Sequence, residues 1–122
     1  MEVACGIMYD DMGNILMGLR HERGPNPNYW EFPGGQLEDN ETLEECLKRE
    51  WMEELRLHIQ VEYKLCTTNV NNIICHFYVG KILDIENLQI NVHQYIGLYP
   101  KAHIYSLRLF EGDKDVVDKL CV

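Results

Sequence analysis

At 122 residues, 46% of them apolar, the chain suits a single domain over residues 1–122 built around one core. A formal charge of −9 argues against nucleic acid as a partner, since backbone phosphates recruit Lys and Arg. No apolar run nears the ~20 residues that span a bilayer, and Met1-Glu2-Val3-Ala4-Cys5 lacks the basic and apolar segments of a secretory leader; a cytoplasmic monomer or homodimer is expected.

Two apolar-rich runs, 3–9 and 14–20, flank Asp10-Asp11-Met12-Gly13 and predict a hairpin with a Gly-containing turn. Residues 21–29 contain Gly24, Pro25 and Pro27 and read as a loop. Trp30-Glu31-Phe32 is a short extended piece ended by Pro33, which turns Phe32 away from helix. The spacing then predicts a helix over 43–56, opened by the capping box Thr42 and Glu45. Strands follow over 57–67 and 72–82; within the second, Cys75, Phe77 and Val79 share one face while His76 and Tyr78 share the other. A further strand is expected over 94–99 and an amphipathic helix over 113–120, with Val116, Val117 and Leu120 on its apolar side. The fold class is α/β, a mixed sheet between helices. The cysteines, Cys5, Cys46, Cys66, Cys75 and Cys121, form no Cys-x-x-Cys pair and read as free structural thiols in a reducing compartment.

The helix over 43–56 carries the chemistry. Leu43, Cys46 and Leu47 begin an apolar stripe, but at 100° per residue the stripe continues through Glu50, Glu53 and Glu54 before Leu57. Glu45, Lys48, Arg49, Met52 and Arg56 are assigned to the outer face. Like charges at such spacings repel, and carboxylates withdrawn from water pay desolvation. A multivalent cation relieves both costs, and oxygen ligands without adjacent His or Cys indicate Mg²⁺ or Mn²⁺. Arg49, four residues before Glu53, is placed to steady that carboxylate, and Gly34-Gly35 allows backbone to approach a ligand closely.

Gly35, Glu41 and Arg49-Glu50-Trp51-Met52-Glu53-Glu54-Leu55-Arg56-Leu57 resemble the signature of the Nudix hydrolases, with Arg56 where that family usually has Gly. Tyr29-Trp30-Glu31-Phe32-Pro33-Gly34-Gly35 looks like the approach to that signature in MutT-type nucleoside triphosphate pyrophosphohydrolases. The resemblance implies a Nudix α/β/α sandwich and a Mg²⁺-dependent hydrolase of a small-molecule nucleotide. The expected substrate is a (d)NTP, with 8-oxo-dGTP one possibility, cleaved to the monophosphate and pyrophosphate. It implies metal ligation by Glu50, Glu53, Glu54 and the Gly35 carbonyl, orientation of the carboxylates by Arg49, and support from Glu41. Glu50 or Glu53 would be the general base. Some relatives use a Glu from a later loop; here Gln94 or Tyr95 stands in that region, with His93 a weak substitute. Arg20 would contact phosphate or be a plain surface arginine. Asp113 would read the base or cap the last helix, and Phe32, His76 and Tyr78 would line the base pocket, Phe32 equally suiting the core. The absence of Pro between Gly34 and Tyr99 disfavours ADP-ribose. The rival readings are a Nudix hydrolase of ADP-ribose, a dinucleoside polyphosphate or a nucleotide sugar, and a silent nucleotide-binding module.

Overall fold

The computed structural model describes residues 1–120, so Cys121 lies outside the described residues. In chain order the elements are β1 (Glu2–Tyr9), β2 (Ile15–Leu19), β3 (Trp30–Glu31), β4 (Gly34–Gln36), α1 (Leu43–Leu55), β5 (Ile59–Val70) and β6 (Ile73–Ile82). A 3₁₀ turn at Ile85–Asn87 leads to β7 (Tyr95–Tyr99), α2 (Lys101–Ile104) and α3 (Asp113–Asp118). The sequence reading missed the four-residue α2, which begins directly after Pro100; one helical turn is too short to show periodicity.

The sheet is mixed, as expected. β1 runs parallel to β6 over its whole length, from Glu2↔Ile74 to Tyr9↔Lys81. β5 and β6 form an antiparallel hairpin whose Asn71 and Asn72 both have positive φ (53° and 65°), the twist that two-residue hairpins favour. The predicted β1–β2 hairpin forms, but the two strands pair only near the turn, at Tyr9↔Ile15. Beyond that point they part. Trp30 and Glu31 pair with β2, and Gly34–Gln36 crosses over to pair with β1. This short segment fills the split in the sheet, and its position determines where the site lies.

Strand alternation sorts the core into two layers. Ala4, Met8, Leu16 and Tyr78 face α1, while Ile7, Ile15, Met17, Phe77 and Val79 face Ile104, Val116 and Val117 on the other side. Trp51, fully buried, ties α1 to the split: its Nε1 donates to the Pro33 carbonyl at 2.8 Å, with the ring lying over Gly6. The buried stripe on α1 is therefore Leu47, Trp51 and Leu55, at i+4 spacing, with Cys46 beside its start and Glu50 and Glu54 flanking it. Arg49, assigned above to the outer face, is half-buried, and Glu53, assigned to the inner one, is exposed. Among the described residues, no helix is long and apolar enough to cross a membrane.

The capping box at Thr42 and Glu45 is present, with bonds of 2.8 and 3.1 Å. At the other end Arg56 holds the left-handed C-cap, φ 58° and ψ 33°, where its Cβ is crowded. The conformation survives because the loop before β7 takes up the last carbonyls of the helix: Gln89 N–H donates to Leu55 and Asn91 N–H to Glu54. Asn91 Nδ2 donates to the carbonyl of Glu53. Arg56→Gly should therefore stabilise the protein by about 0.5–1 kcal/mol in urea unfolding, the relief of left-handed strain exceeding the added chain entropy. A loss of stability would show that the arginine contributes packing that the backbone argument omits.

Candidate active site

The site starts from Arg49. Its Nε and Nη2 grip both oxygens of Glu41 at 3.0 and 2.7 Å, a bidentate pair. Nη1 reaches Glu50 at 2.8 Å and Glu53 at 3.3 Å, and Nη2 also donates to the Gln36 carbonyl at 3.2 Å. Beside this cation, and helped by the Glu38 N–H, the Glu41 carboxyl is held down at about 2. Arg49 thus joins Glu41 at the entrance of the helix, Glu50 and Glu53 within it and the strand bearing Gly35. At Gly35 the approach is so close that a Cβ would collide with the Glu50 carboxylate, and the Gly35 carbonyl lies 3.5 Å from Cys46 Sγ.

Glu54 lies deeper. Burial, then its hydrogen bond and charge contact with Glu50, then Glu31 and Glu53, push its carboxyl up to about 9. Two neighbours of Glu54 come from elsewhere in the chain. His93 Nε2 is 4.0 Å from Glu54 and 2.6 Å from Glu31 Oε2. An ionised carboxylate only accepts, so Nε2 donates to Glu31. His93 Nδ1 is buried without a partner. The imidazole fits because residue 18 is glycine; a side chain there would occupy the ring's place. Ligand atoms of Glu31, Glu54 and His93 all lie within 4.8 Å of one another.

Glu31 leads onward. Its other oxygen accepts from Arg20 Nη1 at 2.7 Å, and Arg20 Nε is fixed by the Pro25 carbonyl at 3.0 Å. Both residues also line a cavity of about 470 Å³. Tyr29 and Phe110 stack at 4.9 Å along its wall, with Arg108 lying 4.2 Å over Tyr29. Phe32 and Phe77 meet edge to face at 6.1 Å and serve both as cavity wall and as core. Asp113 also lines the cavity, and burial, with Cys75 and Glu31 nearby, pushes its carboxyl up to about 7. It is not the helix cap, a position Gly112 holds.

The structure thus brings Gly35, Glu41, Arg49, Glu50, Glu53 and Glu54 into one cluster and places Arg20, Phe32 and Asp113 around the adjoining cavity. It does not bring His76 and Tyr78 there. They occupy the opposite face of β6, where Tyr78 packs in the α1 layer and His76 bonds Lys64 at 2.8 Å and Glu2 at 2.9 Å. The strand pattern separated the two faces correctly, and the pocket lies on the Cys75–Phe77 side. Glu31 was missed, although a carboxylate between Trp30 and Phe32 in an apolar run was its signal.

The sequence profile of the NUDIX domain family matches residues 1–115. The chain is 39% identical over 59 residues to the 8-oxo-dGTP diphosphatase of Proteus vulgaris, a stretch covering 48% of this chain and 53% of that protein. It is 31% identical over 97 residues to the CTP pyrophosphohydrolase of Escherichia coli K12, covering 77% of this chain and 71% of that one. The chain thus spans only about half the length of the first of these relatives. The crystal structure of a MutT protein from Methanosarcina mazei Go1 superposes with a TM-score of 0.87 at 18% identity, over 98% of this chain and 91% of that chain. The residues and the fold agree: the chain belongs to the Nudix family and has a MutT-like α/β/α architecture.

Proposed function

We propose that the chain hydrolyses a nucleoside triphosphate, a (d)NTP with oxidised purines such as 8-oxo-dGTP among the candidates, to the monophosphate and pyrophosphate. One juxtaposition carries this reading: Glu31 belongs both to the wall of the aromatic cavity and to the carboxylate cluster. A base against Phe32 and Phe77 therefore sets its phosphates beside Glu50 and Glu54. The relatives' names, one for 8-oxo-dGTP and one for CTP, support a triphosphate without choosing the base.

The donors fit a hard divalent cation. Oxygen ligands predominate, and the burial and carboxylate crowding that push Glu54 up to about 9 are costs that a dication relieves. Mg²⁺, or Mn²⁺, would be held by Glu50, Glu53, Glu54 and the Gly35 carbonyl, and would supply charge neutralisation and a more acidic water. The chain's own groups do the rest. Arg49 tethers Glu50 and Glu53 to one guanidinium nitrogen. These two carboxylates are the candidates to take the proton from water as its oxygen attacks a phosphorus of the α–β bridge; the P–O bond to the bridging oxygen breaks, giving the monophosphate and pyrophosphate. His93 and Arg20 each bond one oxygen of Glu31, which presents the Arg20 guanidinium towards the phosphates.

In a nucleotide panel with Mg²⁺, the expected products are a nucleoside monophosphate and pyrophosphate. Glu54→Gln should lower turnover by about 10²–10⁴-fold with the fold retained. Orthophosphate, or two nucleoside phosphates from ADP-ribose, a dinucleoside polyphosphate or a nucleotide sugar, would overturn the substrate assignment. No turnover of any nucleotide would leave a binding module.

The raised Glu54 carboxyl has a second consequence. Between its ordinary 4.5 and about 9, folding takes up a proton there, so this carboxyl's contribution to metal-free stability is full below about 4.5 and is lost as pH rises towards 9. Asp113, at about 7, adds the same trend at lower pH. In EDTA the melting temperature should fall from pH 7 to 9, less so in Glu54→Gln, and Mg²⁺ should raise it in the wild type by mass action. An equal decline in both proteins would contradict the assignment.

A further inference from the structure

The loop before β7 makes more connections than a link between two elements needs. Residues 89–94 have no regular structure, and Ile90 and Val92 are 49% and 56% exposed, so apolar burial does not fix their course. Polar bonds do, and they run in opposite directions. Towards α1, the Gln89 N–H donates to the Leu55 carbonyl at 2.9 Å and the Asn91 N–H to the Glu54 carbonyl at 3.1 Å. Asn91 Nδ2 adds a bond to the Glu53 carbonyl at 3.1 Å. Towards the cavity, the Gln94 N–H donates to the Leu19 carbonyl at 3.0 Å. Gln94 Nε2 donates to the Arg20 carbonyl at 2.8 Å and to Asn28 Oδ1 at 2.7 Å. Between these ties His93 is buried, its Nε2 2.6 Å from Glu31 and 4.0 Å from Glu54.

We infer that residues 89–94 are a spacer that fixes the separation between the carboxylates of α1 and the Arg20–Glu31 pair, with Asn91 and Gln94 its positioning residues. Both are exposed, and each holds the backbone of residues assigned to the site rather than their side chains. The last carbonyls of a helix have no partners within it, so without Asn91 the turn bearing Glu53 and Glu54 is freer to fray. Arg20 follows β2 directly, at the start of the loop containing Gly24, Pro25 and Pro27. Gln94 clamps that loop at both ends, through Arg20 and Asn28. In-line attack on phosphorus needs the two halves of the site in register, and a misplacement of about 1 Å can cost about 10²-fold in rate. The effect on hydrolysis rests on the nucleoside triphosphate reading; the spacing itself does not.

The test compares Asn91→Ala, which removes the bond to Glu53, with Gln94→Ala, which removes those to Arg20 and Asn28. In hydrolysis of a nucleoside triphosphate with Mg²⁺, each should lower kcat by about 10–100-fold and leave KM within about threefold, because alignment is lost while binding contacts remain. The double variant should fall no further than the worse single one, since the two ties act in series. The His93 Nε2 proton, deshielded by its short bond to Glu31, reports without turnover: its NMR signal should move upfield in both variants. Losses that multiply in the double variant, a rise in KM with kcat intact, an unchanged kcat or an unmoved signal would each overturn the inference. If the wild type hydrolyses no nucleotide, the nucleoside triphosphate reading fails and the signal alone decides. Movement in both variants then upholds the spacer, and no movement removes it.

Discussion

Glu50 and Glu54 share one side of α1 whose rotation is fixed by the residue between them. Trp51 is fully buried over Gly6 and donates its indole N–H to Pro33. A buried aromatic of this size anchors a helix by several kcal/mol, about 3–5 for truncation to alanine, enough to hold flanking side chains in an unfavourable place. The face of α1 towards β4 is therefore set by packing, and the carboxylates follow. Arg49 offsets part of the repulsion with its contacts to Glu41, Glu50 and Glu53, but Glu54 lies beyond its reach and keeps a raised carboxyl. The core and the cluster are two faces of one rigid arrangement, and the proposed cation is the group that would complete it.

The site was legible where its parts are close in sequence. The capping box, the Gly35 approach and the glutamates of α1 fall within twenty residues, and the helical repeat alone gathers them. What the repeat misjudged was rotation. Counting on from Leu47 missed Trp51 and Leu55 as the buried pair, and so placed Glu53 inside and Arg49 outside. A tryptophan following a glutamate in such a run marks the buried line better than the next leucine does.

Contacts across long separations were not legible. His93 and Glu31 are 62 residues apart and meet because β3 sits in the split between β1 and β2 while the loop before β7 is stitched to the end of α1. No periodicity encodes that meeting. The choice between the two faces of β6 likewise depends on which helices cover which side, so the pattern could separate Phe77 from Tyr78 but could not say which borders the cavity. Arg56 is a related case: it stands where the signature usually has Gly, and the helix exit holds because Gln89 and Asn91 supply donors that sequence proximity would never suggest.

On the proposed reading, chemistry and recognition are carried by different parts of the fold. The cluster is carried by a helix anchored in the core, whereas much of the cavity comes from the segment around Arg20 and Tyr29, the β5–β6 hairpin and the approach to α3. The central claim is that the glutamates of α1 are crowded because they share a dication. Crystals grown with Mn²⁺ and measured at the manganese absorption edge test it most directly. The account predicts an anomalous peak among Glu50, Glu54 and the Gly35 carbonyl, about 2.1–2.3 Å from a Glu54 oxygen. An empty cleft, with Glu54 still against Glu50 and no peak between them, would contradict it.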